Sequence, residues 1–384
     1  MLIPFNIGFF FFFLMNHLFI YHVGGFYGIT MSIVKRGIVK RSIVKRSMGT
    51  VMKNDVPPMW KFVSRPLKEQ ARQWFINRAI VKNIDWNGLT NEYKKGVNFE
   101  KMLQFKQNLE NITMKYPEYY LQAFHGYDEG NMNWLAAQEA EAASLSMCAN
   151  YWKNVCAMDS EKWVRYNATN NIKQYIRRYS DYSSHDGAMI LDVGCSGGIS
   201  TEYILRGFPN ASSVYGLDLS PYFVAVSSFR ANKHNEHRLN YVHGNAEQTQ
   251  FKNETFDIII CNFLFHEVPP DATRVIFKEM LRLLKEGGIL AVVDLDPEVL
   301  KGDKILSQFR KWAFEVTEPH IYSYYNSNMT DYFLESGFID LVKKSNDPIN
   351  AVWMGRKPVF EYSLNYGYDD YGYDGDSYGV VWGC

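Results

Sequence analysis

The sequence predicts an α/β fold in which helices cover a mostly parallel sheet. An apolar run at residues 188–191 leads into a glycine-rich turn, Gly194-Cys195-Ser196-Gly197-Gly198, and a helical pattern follows the turn. A second apolar run, residues 214–217, ends on Asp218. A third run, residues 256–261, is almost wholly apolar, which is typical of a parallel strand buried on both faces. Strands that alternate with helices in this way indicate βαβ units.

The other elements are predicted in order along the chain. Apolar residues recur at helical spacing over residues 271–284, where Asp271 is the expected N-cap and two glycines, 287 and 288, end the helix. Residues 289–293 form a further strand, and two short strands after residues 335–338 complete the sheet. Upstream of the sheet, the spacing predicts helices over residues 65–76, 98–116 and 134–148.

The glycine turn and Asp218 together predict a nucleotide site. Glycines let the backbone approach a ligand closely, and Asp218 lies 24 residues beyond Gly194, where a carboxylate can accept both hydroxyls of a ribose. A dinucleotide site would have the spacing G-x-G-x-x-G, but Ser196 and Ile199 occupy its second and third glycine positions. A dehydrogenase is therefore the least favoured alternative.

The pattern D-x-G-x-S-x-G from Asp192 to Gly198 resembles motif I of the class I S-adenosylmethionine-dependent methyltransferases, with a type 11 or type 25 domain. Residues 241–247, YVHGNAE, resemble that family's adenine loop, and residues 256–268 resemble its fourth strand with the loop that follows. The resemblance covers about residues 163–356. It implies a Rossmann-like, seven-stranded, mostly parallel sheet with helices on both faces and an N-terminal helical extension. It also implies S-adenosylmethionine as the cofactor.

The resemblance further implies which residues form the cofactor site. They are Asp192, Gly194, Cys195, Ser196, Gly198, Asp218, Leu219, Asn245, Ala246, Glu247, Asn262 and Phe263. Asp218 would accept the ribose hydroxyls. Asn245 stands where aspartate is commoner, and its amide oxygen can still accept from the adenine amine. Asp192 would either fix the glycine turn or meet the methionine ammonium through water.

His266 and Glu267 are the candidate catalytic residues, because they follow the fourth strand on the acceptor side of the pocket. His266 would take a proton where the acceptor has to lose one, and Glu267 would orient it or act in its place. The alternative makes His266 a polar residue that lines the pocket. The candidate acceptor contacts are His125, Tyr127, Tyr324 and Tyr325. No metal is expected, since the five cysteines include no CxxC pair.

The predicted function is transfer of the methyl group of S-adenosylmethionine to an oxygen or carbon atom of a small-molecule acceptor. The alternative is a methyltransferase-fold protein with weak or lost catalysis that serves as a binding partner. Lys and Arg number 41 and Asp and Glu number 41, so the balance of charge does not favour nucleic acid as a partner. The sequence identifies neither the acceptor nor the oligomeric state.

Four regions are predicted: a leader (1–54), a helical region (55–162), the catalytic domain (163–360) and a tail (361–384). The helical region would either cover the acceptor pocket as a lid or brace the sheet. Together with the loop at residues 265–267, it resembles a plant methyltransferase group assigned to plastids. The tail repeats Tyr, Gly and Asp, a composition typical of disorder.

The composition of the leader indicates membrane association. Residues 1–34 contain no Lys, Arg, Asp or Glu and include five consecutive phenylalanines, and a run of this length can span a bilayer. Three Ile-Val-Lys-Arg repeats follow, which would place the catalytic domain of a membrane-anchored protein in the cytoplasm. Two alternatives remain: a plastid transit segment, or translation that begins at Met31, Met48 or Met52.

Overall fold

The computed structural model describes residues 72–73, 75–149, 151–179, 186–301 and 318–359. All of them belong to one unit of the chain, Val56–Cys384. The predicted leader and tail lie outside the described residues, as does most of the helix predicted over residues 65–76.

Seven strands form one mixed sheet with the order β3-β2-β1-β4-β5-β7-β6. The strands are β1 (Met189–Val193), β2 (Ser213–Asp218), β3 (Leu239–His243), β4 (Phe256–Asn262), β5 (Leu284–Leu295), β6 (Ile339–Ser345) and β7 (Asn350–Arg356). The first five are mutually parallel, and β7 runs antiparallel between β5 and β6. This confirms the predicted seven-stranded sheet. Strand order reverses between β1 and β4, where the carboxyl ends of parallel strands open a crevice.

Helices cover both faces of this sheet, as predicted. The named helices are α1 (Trp86–Lys94), α2 (Gly96–Leu109), α3 (Trp134–Cys148), α4 (Ala157–Tyr179), α5 (Ile199–Gly207), α6 (Pro221–Lys233), α7 (Pro270–Leu283), α8 (Pro297–Lys301), α9 (Ile321–Tyr325) and α10 (Met329–Ser336). On one face, Phe277 of α7 is fully buried in the core. On the other, Tyr175 of α4 and Ile204 of α5 pack over the sheet.

Three helix ends differ from the prediction. Helix α7 ends at Leu283, and the glycines at 287 and 288, which were expected to end it, lie inside β5. The helix predicted over residues 98–116 ends at Leu109, because Glu110 adopts an extended conformation. Asp271 is not the N-cap of α7; that position is Pro269, and Asp271 lies in the first turn, where a carboxylate still favours the helix dipole. Helix α4 crosses the boundary predicted at residues 162 and 163, and the domain boundaries stay predictions.

The N-terminal helical region is held together by a buried acid, Glu139 of α3. Its carboxylate accepts from the Arg72 guanidinium at 2.5 Å, from the Tyr127 hydroxyl at 2.7 Å and from the Trp86 indole at 3.4 Å. Glu139 is only 1% exposed, so these partners offset the cost of burying its charge. The contacts hold residues from three separate segments together beside α3.

The prediction of a membrane-anchored protein is wrong for the part of the chain that the structure describes. In that part, no helix is long and apolar enough to cross a bilayer. Residues 1–34, on which the prediction rested, lie outside the described ranges. The plastid alternative stays a prediction.

Candidate active site

A cavity of about 360 Å³ opens at the carboxyl ends of β1, β2, β3 and β4. Most of the predicted site residues line it, from both the cofactor and the acceptor set. They are Gly194, Cys195, Ser196, Asp218, Leu219, Asn245, Ala246, Asn262, Phe263, His266, Glu267, His125 and Tyr127. The sheet edge therefore brings together residues that lie up to about 140 positions apart in the sequence.

The glycine turn after β1 folds against the end of β2. Gly194 has a φ of 74°, in the left-handed region that favours glycine, and its N–H donates to the Leu217 carbonyl at 2.8 Å. Gly198, with a φ of 82°, begins α5; a Cβ at this position would lie 2.6 Å from the Tyr241 hydroxyl oxygen. The turn therefore needs glycine at both positions. At Gly194 the backbone conformation requires it, and at Gly198 a side chain would in addition clash with Tyr241.

Asp218 lines the cavity at the carboxyl end of β2. Its two carboxylate oxygens accept from the Ser196 N–H at 2.9 Å and the Ser220 N–H at 2.8 Å. Burial raises the pKa of Asp218 to about 7, although these two backbone donors act to lower it. Each oxygen keeps a second lone pair. Asn131 lines the same cavity, and its buried Oδ1 has no hydrogen-bond partner among the described residues.

Asp192 does not line the cavity. One of its oxygens accepts from the hydroxyls of Ser200 and Thr201, at 2.6 and 2.7 Å, and the other accepts from the Asn262 amide at 3.3 Å. The carboxylate is fully buried, and burial raises its pKa. Of the two roles predicted for Asp192, the geometry supports fixing the turn, because the contacts join the start of α5 to the end of β4.

The adenine loop after β3 is held by its own side chains. The Asn245 Oδ1 accepts the Glu247 N–H at 2.9 Å, and the Glu247 carboxylate accepts the Tyr119 hydroxyl at 2.7 Å. Asn245 and Ala246 line the cavity, whereas Glu247 lies outside the lining. Gly198 also lies outside it, so the cofactor roles of both Glu247 and Gly198 stay predictions.

His266 forms a buried pair with Asp294, an acid at the carboxyl end of β5. The His266 Nδ1 lies 2.7 Å from Asp294 Oδ1, and the other Asp294 oxygen accepts the Phe265 N–H at 2.8 Å. Burial alone would lower the pKa of His266, but the Asp294 carboxylate and then Glu267 raise it to about 9. The Nδ1 contact orients the ring and leaves Nε2 for the cavity, which His266 lines.

His125 lies between two carboxylates at the same end of the cavity. Its Nε2 is 3.2 Å from Glu267 Oε1 and 3.2 Å from Glu318 Oε1. Burial lowers the pKa of His125, but Glu318 and Glu267 raise it to about 9. Burial also raises the pKa of Glu318 to about 7. Glu318 was not predicted, and no motif in the sequence marks it.

Two of the four predicted acceptor contacts do not reach the cavity. Tyr324 and Tyr325 are buried on α9 and are absent from the lining. The Tyr324 hydroxyl donates to the Leu295 carbonyl at 2.5 Å, and its ring packs edge-to-face against His266. Tyr324 therefore packs against the His266 ring without lining the cavity. Tyr127 does line the cavity, but its hydroxyl donates to Glu139.

Apolar and aromatic side chains form most of the remaining wall. They include Phe75, Trp86, Phe124, Ala136, Ala140, Ala143, Met147, Tyr151, Phe223, Ile276, Leu295, Leu300 and Ile349. Helix α3 presents small residues to the glycine turn, since a Cβ at Gly197 would lie 3.3 Å from the Ala140 Cβ. The N-terminal helices thus form one wall of the cavity as well as bracing the fold.

Comparison with known proteins gives the same family as motif I. A family described as a methyltransferase domain matches residues 191–292. The demethylmenaquinone methyltransferase of Anoxybacillus flavithermus is 24% identical over 220 residues, which are 52% of this chain and 92% of that protein. Residues 191–292 are therefore a methyltransferase domain, as motif I predicts. S-adenosylmethionine is accordingly the cofactor of this methyltransferase domain.

Two further relatives are methyltransferases as well. The uncharacterized methyltransferase sll0829 of Synechocystis sp. is 35% identical over 109 residues, 28% of this chain and 48% of that protein. The chain thus spans about half the length of that relative. The erythromycin 3''-O-methyltransferase of Saccharopolyspora erythraea is 29% identical over 231 residues, 57% of this chain and 71% of that protein. The resemblance to a plant group assigned to plastids stays a prediction.

Proposed function

We propose that this methyltransferase transfers the methyl group of S-adenosylmethionine to an oxygen or carbon atom of a small, largely apolar acceptor. One observation carries the proposal: the Asp218 carboxylate and His266, which is paired with the buried Asp294, both line one cavity of about 360 Å³. A cavity of that size, with a mostly apolar wall and a few polar groups, is typical of small-molecule sites. The methyltransferase domain favours an active enzyme over a fold that serves only as a binding partner.

The cofactor end of the cavity fits S-adenosylmethionine. The buried Asp218 carboxylate and the unpartnered Asn131 Oδ1 are acceptors, as the two ribose hydroxyls would require. Asn245 and Ala246 would hold the adenine, and the backbone of the turn at Gly194 would lie beside the amino-acid part. When bound, the cofactor supplies an electrophilic methyl group on a positively charged sulfur.

The residues of the chain would then align the acceptor and handle its proton. Holding two reactants in line can lower a barrier by roughly 7–11 kcal/mol, so positioning by the walls supplies much of the catalysis. His266 would take the proton of an acceptor hydroxyl at Nε2, and the Asp294 carboxylate would stabilise the imidazolium that forms. The same pairing makes the imidazole a strong base, which acts only in its deprotonated form.

The wall of the cavity favours an apolar or aromatic acceptor. Trp86, Phe124 and Tyr151 provide flat apolar surface, and the N-terminal helices that carry part of this wall would act as a lid. Two of the relatives are named for acceptors as different as demethylmenaquinone and erythromycin. The fold therefore does not determine the acceptor, and we expect the side chains of the cavity wall to determine which acceptor binds.

The experiment is a methyl-transfer assay on the purified full chain with isotopically labelled S-adenosylmethionine and a panel of quinols, phenols and macrolides. Formation of S-adenosylhomocysteine that depends on an acceptor, and that is lost in His266→Ala, would support the proposal. The control is Asp271→Ala, which alters a fully exposed carboxylate on α7. Cofactor binding without turnover on any oxygen or carbon acceptor would contradict it.

A further inference from the structure

The acceptor end of the cavity contains a compact set of metal-ligand atoms. His125, Glu267 and Glu318 each present one ligand atom, and these atoms all lie within 4.8 Å of one another. They come from three segments: the turn before α3, the 3₁₀ turn after β4 and the residues before α9. All three side chains line the cavity. An ion at this position would be reachable from the space where the acceptor is proposed to bind.

A second, independent observation indicates a missing ligand beside Glu318. This residue is only 4% exposed, and its Oε2 is buried without a hydrogen-bond partner among the described residues. A buried carboxylate oxygen with no donor is costly, because it has lost water and gained nothing in exchange. A bound cation would satisfy that oxygen.

The two carboxylates of the cluster favour positive charge beside them, which either a proton on His125 or a bound cation can supply. Within the described ranges, the ion-pair partners of Glu267 and Glu318 are imidazoles: His125 for both carboxylates, and His266 for Glu267 at 3.9 Å. Neutral imidazoles bind metals through nitrogen, and two carboxylates then carry a charge of −2. A divalent cation balances that charge without a lysine or an arginine.

We propose that His125 Nε2, Glu267 and Glu318 form a divalent metal site at the acceptor end of the cavity. One imidazole nitrogen with two carboxylate oxygens suits Mn²⁺, Fe²⁺ or Zn²⁺. Three protein ligands leave coordination positions open on the cavity side, where water or an oxygen of a small molecule can bind. The residues of this site differ from those proposed to hold the cofactor, and its occupancy can be measured without methyl transfer.

The test is a titration of the full chain, freed of metal by chelation, with Mn²⁺ alone in an isothermal calorimeter. One Mn²⁺ per chain is expected. Glu318→Gln and His125→Gln should each weaken Mn²⁺ binding at least tenfold. The matched controls are Glu254→Gln and His237→Gln, which change side chains that do not line the cavity and should retain the affinity. Equal Mn²⁺ affinity in the wild type and Glu318→Gln, or no binding by the wild type, would overturn the proposal.

A measurement on the wild type alone covers the case in which a variant does not fold. Pulsed electron paramagnetic resonance of bound Mn²⁺ should show coupling to one imidazole nitrogen, and its absence would also overturn the site. Titration of S-adenosylmethionine into the same preparation separates the two proposals. If S-adenosylmethionine binds and Mn²⁺ does not, the metal site alone is refuted. If Mn²⁺ binds and S-adenosylmethionine does not, the proposed function alone is refuted.

Discussion

Replacing Asp218 should remove most of the affinity for S-adenosylmethionine. In the structure this carboxylate is already held by the Ser196 and Ser220 N–H groups, so its remaining lone pairs are fixed toward the cavity. A hydrogen bond to a charged group contributes about 1.5–3 kcal/mol. Loss of two such bonds, to the two ribose hydroxyls, amounts to at least about 3 kcal/mol, or roughly a 100-fold rise in Kd.

Two variants make this prediction specific. Asp218→Ala removes both acceptors, whereas Asp218→Asn keeps one oxygen and should give an intermediate Kd in calorimetric titration. Both leave backbone N–H groups without their carboxylate, so thermal unfolding has to show that the variants are folded at the assay temperature. Asp271→Ala is the control, with unchanged affinity. A folded Asp218→Ala that binds S-adenosylmethionine within about threefold of the wild type would refute the role of Asp218, since threefold is well under 1 kcal/mol.

Three further predictions concern the same site and its turn. Because ribose hydroxyls donate to the ionised form of Asp218, whose pKa is about 7, cofactor affinity should fall as the pH drops from 8 to 6, and titrations of Asp218→Asn should show no such dependence. His266→Ala should lower turnover at least about 100-fold, as expected for loss of a general base, with a cofactor Kd within about threefold; undiminished turnover would make His266 a lining residue. Gly198→Ala and Gly187→Ala both place alanine at a positive φ, which costs about 1–2 kcal/mol of stability. Only the Cβ of Gly198→Ala would also clash with a neighbour, because it would lie 2.6 Å from the Tyr241 hydroxyl oxygen. Gly198→Ala should therefore lower Tm more than Gly187→Ala, and equal shifts would argue against the close packing of the turn.

Much of the fold followed from local patterns in the sequence. The strand ends at Asp218 and at Asn262 could be placed because apolar runs stop there abruptly, and the chemistry of a parallel sheet lies at such ends. Helix α3 was predicted with its observed bounds, and the structure shows Asn133 as its N-cap, whose side chain accepts the Ala136 N–H. The end of α2 was not predicted, since helical spacing continues past Leu109 while the backbone turns extended.

The acceptor end was harder to predict, because its parts come from distant segments. Asp294 closes an apolar strand just as Asp218 does, but nothing in its spacing shows that it would face His266. Glu318 and His125 are 193 positions apart in the sequence, and only the folded chain brings them within 3.2 Å. Tyr324 and Tyr325 were expected at the acceptor because of their residue type, yet the short helix α9 turns both rings into the core.

A crystal structure of the full chain with S-adenosylhomocysteine tests the central claim most directly. The ribose hydroxyls should donate to Asp218, the adenine should lie against Asn245 and Ala246, and the sulfur should face the end of the cavity lined by His266. A ribose away from Asp218, or a sulfur that faces away from His266, would contradict the assignment of the two ends of the cavity.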